Sequence, residues 1–169
     1  MNMDGRAVAN FVLDVCEAEQ RPITNLALQK IIYFCHVWSL VKLGQPLIKQ
    51  RFEAWQFGPV LQYLYREFKA FERDPITSRA KKVNVVTGVL EIADYQFDND
   101  TEQFLRKIIM VYSSISAGNL VDISHAKGAP WDLAWNHGGK VNPGMAIEND
   151  AIVRYYSSGR ASLSPNEVG

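Results

Sequence analysis

A mainly α, compact multi-helix domain with a minor β hairpin or small sheet is predicted for this chain by three observations. Apolar residues recur at helical spacing in six segments. Only two short runs, 51–57 and 83–92, show strand-like alternation or β-branched enrichment. The 169 residues, 47% apolar and 21% charged, are enough for one core that buries about 70% of the unfolded surface without disulfides or metal. One domain over residues 1–157 is expected, followed by a short polar tail at 158–169.

Residues 4–18 read as an amphipathic helix capped by Asp4, with Val8, Phe11, Val12, Val15 and Cys16 on one face. Pro22 ends the loop that follows, and Thr24 caps a second helix running to Gly44. Apolar residues so nearly surround this helix that it belongs in the middle of the fold. Residues 51–57 alternate polar and aromatic side chains, as a strand does. Gly58-Pro59 is expected to end that strand and open a helix through Phe71, since proline suits a first turn. Residues 83–92 offer a second strand region with Gly88 as a turn or bulge. A helix from about Asp100 past Tyr112 is expected to break at Ala117-Gly118, and a short helix follows through Ile123. The stretch 136–144 reads as a loop, and Asn149 as the cap of a last helix.

Charge excludes less than it first suggests. Eighteen basic residues balance eighteen acidic ones, which argues against a protein that coats nucleic acid by charge alone. Weak self-repulsion leaves self-association, including a homo-oligomer, or a protein partner open. Residues 1–82 hold 12 basic and 8 acidic residues, and 83–169 hold 6 and 10, so the halves are +4 and −4. Arg66, Lys69, Arg73, Arg79, Lys81 and Lys82 could touch phosphates, but Glu67, Glu72 and Asp74 interrupt them and no helix-turn-helix or zinc-finger pattern accompanies them. Met1–Arg6 carries no apolar leader, and the apolar run 31–43 is broken by His36, Ser39 and Lys42. A cytoplasmic protein with no membrane association and with two reduced core thiols, Cys16 and Cys35, is expected.

No catalytic, cofactor-binding or metal-ligating set emerges. HExxH, CxxC, GxSxG, Walker A and GxGxxG patterns are all missing. His36 lies in an apolar helix, where a hydrogen-bonded core histidine is expected. His125 and His137 are 12 residues apart with no Cys or acidic partner at metal spacing. What stands out instead is aromatic residues in glycine- and proline-punctuated segments, Ala54-Trp55-Gln56-Phe57-Gly58-Pro59-Val60 and Gly128-Ala129-Pro130-Trp131. Such segments suit rigid packing and protein-binding hot spots equally well.

These segments carry a pattern. Leu28-Gln29-Lys30 with Tyr33, then Ala54-Trp55 with Gly58-Pro59-Val60, then His125 with Gly128, Pro130 and Trp131, occur in an order and spacing that resemble the Panacea domain. This family is also called SocA-like antitoxin, and its members are often labelled phage-associated proteins. The resemblance spans residues 5–157. It implies a bacterial or prophage antitoxin whose partner is a cognate toxin protein, neutralised by direct contact, with some relatives handing the toxin to a protease. It supplies no catalytic residues. Gln29, Lys30, Tyr33, Trp55, Gly58, Pro59, His125, Gly128, Pro130 and Trp131 are therefore motif residues whose part is structural or partner-binding. Gln29 is expected to hydrogen-bond backbone near the 55–59 turn. The alternative reading is a DNA-binding regulator of a phage or toxin–antitoxin operon. An enzyme built around His125 is a third.

Overall fold

The computed structural model describes residues 1–159, so most of the polar tail expected at 158–169 lies outside the described residues. Helix α1 spans Gly5–Ala18, and Asp4 caps it by accepting from the Arg6 amide at 2.9 Å. Helix α2 spans Asn25–Trp38, with the Thr24 hydroxyl accepting from the Ala27 amide at 3.3 Å. The helical path continues to Leu43 but widens into a π turn over Ser39–Leu43. Gly44 ends it in the left-handed region at φ 67°, which a residue without a Cβ adopts cheaply. The apolar run 25–43 is long and apolar enough to cross a membrane, yet 78% of it is buried inside the fold, as befits a core helix.

Strands β1 (Glu53–Trp55) and β2 (Gly58–Val60) then form a tight hairpin with Trp55 opposite Gly58. This differs from the expectation that Gly58-Pro59 opens a helix. Gly58 instead carries the chain back through φ 106°, and helix α3 starts only at Gln62 and ends at Glu67. A second hairpin pairs β3 (Lys81–Val83) with β4 (Leu90–Ile92) and turns at Gly88, φ 71°. Helix α4 spans Asn99–Tyr112, capped by Asp98. Helix α5 spans Ala117–Ser124, so Ala117-Gly118 begins a helix rather than breaking one. The break falls just before it, where the Ser116 hydroxyl accepts from the Asn119 amide.

Helix α6, Pro130–Trp135, was not anticipated, nor was the short strand β5 at Met145–Ala146. The latter adds to β1 on the side away from β2, giving the order β2-β1-β5. The last helix, α7, spans Asn149–Tyr156. Asn149 is its first residue rather than its cap, because its side chain is drawn to His36, 2.9 Å from the imidazole Nε2.

Around α2 pack α1, α4, α5, α7 and β2. Trp38 donates its indole N–H to the Tyr112 hydroxyl at 2.8 Å, and the Phe34 and Tyr112 rings stack at 4.4 Å. Burial of each such aromatic is worth about 1.5–3 kcal/mol. His36 fits the core reading: its Nδ1 accepts from the Ile48 amide at 3.2 Å, so the ring proton sits on Nε2 and is donated to Asn149. Cys16 and Cys35 are unpaired and buried, and burial pushes the Cys16 thiol up to about 11.

Candidate protein-binding site

The β1–β2 hairpin is held from behind by buried side chains that α2, α5 and α6 bring to it. Gln29 and Lys30, consecutive on α2, are both fully buried. Gln29 accepts the Leu61 amide on its Oε1 at 3.1 Å and donates from Nε2 to Asn25 at 3.1 Å. Asn25 in turn donates to the Tyr65 carbonyl at 3.0 Å. Gln29 thus bonds backbone just past the turn, at the entry to α3, where Leu61 has no capping side chain of its own. Its neighbour makes the contact to the turn segment itself: the Lys30 amine donates to the Pro59 carbonyl at 3.0 Å.

An ammonium ion placed there would lose its hydration for a single carbonyl partner. Burial accordingly pulls Lys30 down from 10.5 to about 7. Gly58 is required twice over. Its φ of 106° is foreign to residues with a Cβ, and a Cβ would lie 2.6 Å from both the Lys30 Cε and the Ser124 hydroxyl.

From the other side, Trp131 donates its indole N–H to the Trp55 carbonyl at 2.7 Å. His125 stacks on Trp131 at 3.7 Å with the planes 11° apart, and Trp135 stacks beyond at 5.6 Å. Desolvation, then the nearby Lys30 charge, holds His125 below its ordinary value of 6.5. The Gly128-Ala129-Pro130 segment aims Trp131. The Gly128 amide, at a residue with φ 80°, donates to Asp132 at 2.8 Å, and Pro130 occupies the first turn of α6, where its missing N–H costs nothing.

Of the ten motif residues, Gln29, Lys30, Trp55, Gly58, Pro59, His125 and Trp131 therefore form one cluster, with Gly128 and Pro130 setting the helix that delivers Trp131. Tyr33 stands apart in the core, edge-on to Phe34 and Phe52 at 5.3 and 5.2 Å. Sequence reasoning did not single out Asn25, Ser124 or Tyr65, and it met Phe57 only as one aromatic of the 54–60 segment. Asn25 sits beside the Thr24 cap and was open to attention; nothing local marks Ser124 as the neighbour of Gly58.

The outward side of the hairpin is different in kind. Phe57 at its tip is 57% exposed although it is a large aromatic. A groove of about 420 Å³ lies beside it, walled by Leu26, Trp55, Phe57, Val60 and Tyr65. A second of about 450 Å³ lies between Trp55, Trp135 and Pro143. Trp55 is wedged between them, its ring edge-on to Tyr65 at 5.2 Å. Lys30, the one amine in the cluster, has no surface on either groove. Among the described residues, no group of three or more His, Cys, Asp or Glu could hold a metal. An exposed aromatic tip beside a groove with both apolar and polar walls, on a fixed backbone, is suited to docking a protein.

Two of the six basic residues weighed for nucleic acid are held in ion pairs. Arg79 bonds Asp14 at 2.7 Å and also Glu17, and Lys82 pairs with Asp94 at 3.3 Å.

Residues 28–132 match the protein family described as Antitoxin SocA-like, Panacea domain. The chain is 41% identical over 146 residues to Antitoxin SocA of Caulobacter vibrioides, covering 86% of this chain and 77% of that protein. No solved structure matches it. The matched span contains the β1–β2 hairpin and every side chain that fixes it.

Proposed function

The chain belongs to the SocA-like, Panacea-domain antitoxin family, and from that membership we propose that it neutralises a cognate toxin by direct protein–protein contact, without catalysis. We further propose the β1–β2 tip as the contact element. The observation that carries this is Phe57: a large exposed aromatic on a hairpin whose backbone is bonded at Trp55, Pro59 and Leu61 by buried side chains. A surface already fixed in shape loses less entropy on association, and interface hot spots are enriched in large aromatic side chains. Hand-over of the bound toxin to a protease is the extended form of the reading.

The test is co-expression with the product of the adjacent gene. Growth arrest by that product should be relieved by the native chain, and the two should co-purify. Phe57→Glu should lose both effects while its unfolding free energy stays within about 0.5 kcal/mol of native, as expected for a surface position. A non-toxic neighbour would remove the antitoxin reading, whereas full relief by Phe57→Glu would remove only the assigned contact. Toxin half-life with and without the chain, in protease-deficient and normal cells, measures the hand-over.

A further inference from the structure

A second docking feature lies in the other hairpin. Ladder bonds from the Ala93 amide to the Ala80 carbonyl and from the Asn84 amide to the Val89 carbonyl, both 2.9 Å, fix which pairs exchange hydrogen bonds. By the alternation of an antiparallel ladder, Lys82 and Glu91 face one another as a bonded pair, and Leu90 and Ile92 turn their N–H and C=O groups away from β3. Among the described residues no backbone group pairs with that outer edge of β4. The opposite edge is partly blocked, since the Lys81 amide already donates to the Glu67 carboxylate at 3.1 Å.

The side chains along the open edge have a definite pattern. Leu90 and Ile92 share a face with Val83 and are 61% and 56% exposed. Glu91 points to the other face. Lys82, directly across from it, pairs instead with Asp94, so among the described residues Glu91 keeps only the Asn84 side-chain amide at 3.0 Å. The hairpin is anchored at its base. There the buried Asn10 donates to the Ala80 and Ala93 carbonyls at 3.0 and 2.8 Å and accepts from the Ala80 amide at 2.8 Å.

We propose that the outer edge of β4 receives an extended segment of a partner protein by strand addition. The segment places apolar residues opposite Leu90 and Ile92 and a basic residue opposite Glu91. Main-chain bonds supply attraction and cross-strand pairs supply selectivity. A second copy of this chain fits less well, because antiparallel pairing centred on Glu91 sets the two like charges face to face. This inference is independent of the toxin reading, and its test needs no toxin.

The full chain, labelled with nitrogen-15, is titrated with a capped heptapeptide alternating valine and lysine and with its glutamate-for-lysine counterpart. The Leu90 and Ile92 amides should shift and gain exchange protection with the lysine peptide, which should bind about fivefold more tightly than the glutamate peptide. Glu91→Lys should reverse that order. Ile92→Pro removes an outward N–H without touching a ladder bond and should abolish binding. Equal affinity for both peptides in native chain and in Glu91→Lys, shifts confined to other elements, or no binding overturns the proposal. So does a concentration-dependent dimer that Ile92→Pro dissolves, which assigns the edge to a second copy.

Discussion

Replacing Lys30 by methionine should remove a pH dependence of stability that the native chain carries. The lysine is fully buried and burial brings its pKa to about 7, against 10.5 for the free side chain. Between roughly pH 7.5 and 9 the unfolded chain therefore holds this proton and the folded chain does not. The state that binds more protons is favoured as pH falls, so folding stability rises with pH across the window. Below about pH 7 the folded lysine is protonated too, the dependence stops, and the full cost of burial remains. Integrated over that pH-and-a-half range, the rise is about 2 kcal/mol. Methionine keeps the length of the buried stem, gives up the bond to Pro59 and does not titrate.

Urea unfolding followed by tryptophan fluorescence, at both pH values and on both proteins, measures the difference of differences. Buried thiols and tyrosines, which weaken the fold at higher pH, are common to both proteins and cancel. The native-minus-Lys30→Met stability should grow by about 2 kcal/mol from the lower pH to the higher. A difference that is the same at both values would show that the amine is charged or solvated in the folded state. The account of the hairpin's support would then fail with it.

Gly58→Ala should destabilise by about 2–3 kcal/mol, because positive φ and two contacts at 2.6 Å must be relieved together. A calorimetric midpoint lowered by about 5–10 °C is expected, and an unchanged one would contradict the packing described. Asn10→Ala should speed amide exchange across 81–92 while leaving α4 protected, since three bonds at the base of that hairpin go and none in α4 does. Uniform acceleration throughout the chain would instead make Asn10 a global core residue.

Much of the helical framework was legible, for reasons visible in particular residues. Asp4 and Thr24 are caps with apolar periodicity behind them, and both hold their amides as local rules require. The all-round apolar character of 25–43 marked the central helix. Local rules failed where a tertiary bond outranked them. Pro59 reads as a helix opener, yet its carbonyl is wanted by Lys30 twenty-nine residues away, and the segment becomes a strand. Asn149 reads as a cap, yet His36 claims its side chain. The cluster around Gly58 was legible only as a set of co-occurring motifs. Spacing named Lys30 and His125, but not that one would lie buried beneath Gly58 and the other stacked on Trp131.

The side-chain bonds that secure the 53–60 hairpin share a property with a wider consequence. Each joins a main-chain group of Trp55, Pro59 or Leu61 to a side chain elsewhere, and none is made by the side chains of Gln56 or Phe57. Holding the loop and choosing what it meets are thus carried by different atoms. Substitutions at the two tip positions leave the clamp untouched, so recognition could be rewritten there one residue at a time without first being tolerated by the core. A scaffold divided in this way can change partners over generations while remaining the same scaffold.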